Sequence, residues 1–140
     1  MTTPRVDSSS AARRVPWLLC AAGFLFDIAA FYPGQMSFDA AYTWWQARIG
    51  ETSDTQSVML IRLWRILDWI LPGPSLLFIM QLGLFWGGLL MIAVGLRLRR
   101  LAATLMVLLA GFAPALVVLR GHLWTDVGMA GALLVTIGAV

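Results

Sequence analysis

The chain has 140 residues, of which 60% are hydrophobic and 12% charged, with a formal net charge of +3. Together with a mean hydropathy of +0.82, this excludes a soluble domain with a hydrated surface and points to an all-α integral membrane protein. The basic residues are all Arg and are scattered among seven acids, so the net charge marks membrane topology and no nucleic-acid footprint.

In chain order, residues 1–14 are rich in Ser and Thr and carry Pro4, the composition of a disordered cytoplasmic tail. An apolar run from Val15 to Phe31 follows, marginal in length for a bilayer core of about 30 Å. It carries Asp27 near its distal end, which must snorkel toward an interface or serve a pathway, because an ionised acid at mid-span costs about 2.5–3.5 kcal/mol. A cleaved signal peptide is the alternative outline for this segment, with Asp27 and Ile28 against it. Cys20 lies within the run as a small hydrophobe; a lone cysteine makes no disulfide within the chain and no cysteine metal site.

Pro33 and Gly34 then break the helix, opening a long loop over 32–73. Within it, 58–71 reads as an amphipathic interfacial helix closed by Pro72-Gly73-Pro74. Arg62, Arg65 and Asp68 form one polar stripe at a spacing of three, with Trp64 and Trp69 as headgroup anchors. Residues 74–96 make the clearest span, roughly 34 Å long at 1.5 Å per residue. Gly83, Gly87, Gly88 and Gly95 suit close helix packing there.

A third span covers 101–119 with a kink expected at Pro114, and a fourth runs over 127–140, where the chain stops before a full crossing. Arg5, Arg13, Arg14 and the Arg97, Arg99, Arg100 cluster should be cytoplasmic, which puts the N-terminus inside. The 32–73 loop and the short turn around Arg120 to Asp126 are then exported.

On that exported side lie Asp39, Asp54 and Asp126, carboxylates able to act as a general base or to help hold a divalent cation. Arg48, Arg62, Arg65 and Arg120 share the face, and guanidinium groups suit phosphate oxygens. Acids and arginines at an interface are what chemistry on a phosphate-linked lipid requires, although ordinary loop charges have the same composition. His122, the single histidine, has no cluster around it and reads as a loop residue close to Asp126.

Tyr32-Pro33-Gly34 with Ser37 and Asp39, Trp64-Arg65, Leu67-Asp68, Pro72-Gly73-Pro74, and Trp124 with Asp126 resemble the N-terminal part of bacterial polytopic glycosyltransferases of the GT-C type. These are the mannosyltransferase- and arabinosyltransferase-like membrane enzymes. The resemblance implies a multi-pass protein of the bacterial inner membrane that takes a polyprenyl-phosphate sugar donor from the bilayer. It implies Asp39 as the catalytic base, with Asp126 supporting substrate or metal. Asp54, Arg62 and Arg65 then contact substrate or phosphate, and any cofactor would be a divalent cation.

The chain departs from the family pattern where Asp-Trp-His-Pro-Pro is expected. Here Asp54-Thr55-Gln56-Ser57-Val58 keeps the acid and loses the imidazole, and Gln56 exchanges no proton near neutral pH. Family members are several times longer, so the resemblance implies a fragment or truncated form that is inactive alone. The competing reading is a small non-enzymatic multi-pass membrane protein, an oligomeric transporter or assembly factor, in which Asp27 binds a proton or cation; a degraded gene product is the third.

Overall fold

A computed structural model describes the backbone of residues 8–95 and 99–140, and side chains from Val15 onward with Arg100 excepted. Among the described residues the protein is all-α, with seven helices and no strand. The helices are α1 (Ser8–Phe31), α2 (Phe38–Ile49), α3 (Val58–Ile70), α4 (Ser75–Gly95), α5 (Arg100–Phe112), α6 (Pro114–Arg120) and α7 (Thr125–Gly138). The tail expected over 1–14 is helical from Ser8, and its first seven residues lie outside the described ones. Of the Arg97, Arg99 and Arg100 cluster, Arg97 also lies outside them, and Arg99 is exposed.

α4 is the axis of the molecule, packed from Gln81 to Gly95 against α7 and flanked by α1 and α5. Glycines set the closeness of the α4–α7 contact. A Cβ on Gly88 would stand 2.6 Å from the backbone nitrogen of Val135, and one on Gly131 would stand 3.0 Å from Leu84 Cβ. Gly83 and Gly87 have open space where a Cβ would go, so only part of the glycine pattern of α4 serves packing. These contacts run in step along both chains, making α4 and α7 parallel. Gly23 and Asp27 of α1 both meet Trp86, and Gly34 meets Phe78, so α1 runs antiparallel to α4. The start of α1 and the α4–α5 connection therefore share one end of the bundle, and the loops 32–37 and 121–124 share the other.

α4 is the one described helix long and apolar enough by itself to cross a membrane. The single span expected over 101–119 is broken: α5 and α6 meet at 58°. Pro114 has no N–H to donate and its ring collides with the preceding turn, so α5 ends at Phe112 and Pro114 opens α6 at a position suited to proline. Nine residues of straight helix would separate Gly111 from Arg120 by roughly 13 Å. The bend instead lets Arg120 Nη2 donate to the Gly111 carbonyl at 2.6 Å.

The 32–73 segment contains more structure than an interfacial helix. Ser37 caps α2 by accepting from Ala40 N at 3.3 Å, and Gly50 closes it in the left-handed region at φ 79°. α3 ends at Ile70 with Leu71 as its C-cap, and Gly73 at φ 115° makes the turn into α4. The polar stripe expected on α3 divides. Arg62 and Arg65 are exposed, whereas Asp68 turns inward, its Oδ1 accepting from Trp44 Nε1 at 2.8 Å and from Gly73 N at 2.7 Å. Of the two expected headgroup anchors, Trp69 is 88% exposed but Trp64 is fully buried, its indole N–H directed to the Gly73 carbonyl at 3.3 Å. An indole that must hide its ring and still satisfy its N–H finds both in the core beneath this turn.

Candidate functional site: an open carboxylate cleft above a buried ion pair

The loops at the shared end are clasped together by backbone. Gln35 N donates to the Gly121 carbonyl at 2.7 Å, and Leu123 N donates to the Gln35 carbonyl at 3.1 Å, forming an isolated parallel bridge. Gly34, at φ 105°, allows the approach, since a Cβ there would lie 3.1 Å from Phe78 and 3.2 Å from Leu123. Ser37 Oγ extends the clasp by accepting from Trp124 Nε1 at 3.1 Å, so one hydroxyl both caps α2 and holds the residue preceding α7.

This clasp brings Asp39 and Asp126, 87 positions apart by the same offset as Ser37 and Trp124, to the walls of one open cleft of about 310 Å³. Each stands in the first turn of its helix, α2 for Asp39 and α7 for Asp126, where a negative charge complements the unpaired N–H groups of the helix start. Thr43, Thr55, Gln56, Trp124 and Thr125 complete the polar lining. Thr43 Oγ1 lies 2.8 Å from the Asp39 carbonyl and 3.2 Å from Gln56 Oε1. Neither Asp39 nor Asp126 forms an ion pair among the described residues, and both are exposed.

The other sequence-derived candidates lie elsewhere. Asp54 is exposed and outside the cleft lining, although its neighbours Thr55 and Gln56 are in it. Arg62 is exposed on α3 and lines neither cleft, and Arg65 lines a second cleft, with Arg48 and Asp68, that shares no residue with the first. His122 is half-buried, its Nδ1 3.0 Å from the Val118 carbonyl and its ring 5.0 Å from that of Trp124. Gln56 and Thr43 were not singled out as cleft residues by sequence; the only signal was that Gln56 occupies the position of an expected histidine.

No cluster of three or more His, Cys, Asp or Glu able to hold a metal occurs among the described residues. Two carboxylates with hydroxyl and amide oxygens do not make a protein cage. They suit a hydrated Mg²⁺ only when substrate phosphate oxygens complete its shell.

Below the cleft, Asp27 neither snorkels nor opens to a pathway. It is fully buried and paired with Arg120, itself only 3% exposed. Arg120 Nε donates to Asp27 Oδ2 at 2.8 Å and Nη2 to Oδ1 at 3.3 Å, while Trp86 Nε1 donates to Oδ2 at 2.8 Å. The guanidinium lies 4.4 Å from the Phe85 ring centroid and 4.9 Å from that of Trp86, a cation–π setting that offsets part of its lost hydration. The Arg120 side chain is therefore not one of the loop charges expected around 120–126. A proton or cation reaching Asp27 would have to displace an arginine. The sequence held a partial signal for this pair: single charges of opposite sign, each in or beside a separate apolar run.

Comparison of the chain with protein-family models, with curated proteins and with solved structures finds no match.

Proposed function

We propose that the chain is the N-terminal membrane portion of a GT-C-like glycosyltransferase of the bacterial inner membrane, acting at the end of the bundle where Asp39 and Asp126 meet. The observation that carries this reading is their convergence. Two acids with no pairing cation among the described residues line one open cleft, at the positions where the sequence resemblance expects a base and a supporting carboxylate. The apolar length of α4 and the bent α5–α6 pair support placement across a bilayer. The topology supports an arrangement in which the arginine-bearing end faces the cytoplasm and the cleft faces outward.

In this reading a polyprenyl-phosphate sugar enters from the bilayer and the acceptor hydroxyl from water. Asp39 takes the hydroxyl proton as the acceptor oxygen attacks the anomeric carbon. The bond from that carbon to the phosphate oxygen breaks, the lipid phosphate leaves with the electron pair, and configuration inverts. Asp126, Gln56 and Thr43 accept or donate hydrogen bonds that orient sugar and acceptor. The Trp124 ring, held by Ser37, offers an apolar wall to the face of a sugar.

The test is sugar transfer from a polyprenyl-phosphate donor by the full-length protein in proteoliposomes. Asp39→Ala should lower turnover by about 10²–10⁴-fold, the range of general acid–base catalysis. Undiminished turnover in that variant removes Asp39 from the mechanism.

A further inference from the structure

The second cleft lies between α2 and α3, has a volume of about 550 Å³, and shares no lining residue with the cleft of Asp39 and Asp126. Its floor is cationic: Arg48 comes from α2 and Arg65 from α3. The one acid there, Asp68, is already engaged, with Oδ1 taken by Trp44 and Gly73 and Oδ2 3.5 Å from Arg48 Nε. Arg65 forms no ion pair among the described residues. Gly50 gives its guanidinium room, since a Cβ at that position would stand 2.7 Å from Arg65 Nη1. Two guanidinium groups against one carboxylate leave a positive charge uncompensated.

The apolar part of the lining is unpacked, with Trp69 88% and Ile66 60% exposed. A soluble anion would use the arginines and leave this part bare. A lipid uses both, setting its phosphate against the guanidinium groups and its chain against Ile66 and Trp69.

We propose that the α2–α3 cleft binds the phosphate of an anionic bilayer lipid through Arg48 and Arg65, with Trp69 at headgroup depth. This rests on the membrane placement above and not on sugar transfer. The site fixes the α2–α3 hairpin against the bilayer beside the carboxylate cleft.

The experiment is native mass spectrometry of the purified full-length protein titrated with phosphatidylglycerol or phosphatidylcholine, with glycerol 3-phosphate as a soluble competitor. Phosphatidylglycerol should be retained about tenfold more tightly or better, through the attraction of both arginines to an anionic lipid. The preference should fall to near unity in Arg48→Gln/Arg65→Gln and return in Arg48→Lys/Arg65→Lys. Arg65→Gln alone carries the test if the double variant loses its helical circular dichroism, because Arg65 is exposed and holds no ion pair among the described residues. Equal retention of both lipids by the unmodified protein, or an unchanged preference in Arg65→Gln, overturns the proposal. Displacement of the lipid by equimolar glycerol 3-phosphate would show that the cleft reads free phosphate, which also overturns it. Asp39→Ala should leave the lipid preference intact, so failure of sugar transfer and failure of this site are separately visible.

Discussion

Asp27 and Asp39 stand on either side of the same turn and face opposite physical problems. Asp27 is sealed from water and has both oxygens occupied by donors from Arg120 and Trp86. Asp39 is exposed and has no ion-pair partner among the described residues. The first arrangement stabilises the charge by surrounding it, which leaves the carboxylate unable to reach a substrate. The second leaves the charge free to accept a proton and contributes little to folding. An acid inside an apolar run is thus the more conspicuous residue in the sequence and the less available one in the structure.

The two regions should respond in opposite ways to substitution. The largest effect on stability is expected for Asp27→Asn or Arg120→Met, each leaving one member of the pair buried and uncompensated at a cost of about 3–5 kcal/mol. Replacing both, as Asp27→Leu/Arg120→Met, should cost much less than the sum of the two single changes. Reversible denaturation in mixed micelles measures this, and additive losses would show that the groups do not act as a pair. Asp39→Ala should do the reverse, with a large loss of transfer and a stability change within about 0.5 kcal/mol, as for an ordinary surface site.

The next effect tests whether the bundle beneath the cleft is a rigid support. Gly88→Ala drives a Cβ into the α7 backbone and should cost roughly 1–3 kcal/mol by overpacking. Ser37→Ala removes both the cap of α2 and the acceptor for Trp124 and should cost about 1 kcal/mol. If the clasp sets the cleft, transfer falls further in Ser37→Ala than stability alone explains, which comparison with Asp39→Ala and a thermal melt resolves. The smallest effect is expected at Gly83→Ala, where the added methyl meets nothing and helix propensity favours the change by up to about 1 kcal/mol. A loss there as large as at Gly88 would contradict the packing of α4 against α7.

Most helix positions were legible because their signals are local. Pro72-Gly73-Pro74 ends α3 within a residue of the expected boundary, and the apolar run over 74–96 became α4. α2 was missed because Phe38 to Ile49 mixes exposed and buried aromatic and polar residues without a clean apolar stripe; its helix is secured by the Ser37 cap and by packing against α3. The Pro114 break was visible, but its size was not, since a proline removes one hydrogen bond and the surrounding contacts choose the angle. Trp64 and Trp69 show the same limit. Both are tryptophans on one helix, and only the packing of α3 against its neighbours decides which of them is buried.

Composition, the apolar runs and the Pro–Gly turns by themselves determined that this protein is helical, where α1 and α3 end and where α4 lies, because those properties depend on neighbours a few positions away. Tertiary structure alone decided that Asp27 pairs with Arg120, that Gln35 and Ser37 clasp the loop before α7, and that Asp39 shares a cleft with Asp126. These groups meet across intervals of more than 80 residues. A charge or an unpaired N–H at one point of the chain constrains its partner by energy and geometry, and only the packed helices bring the two within reach.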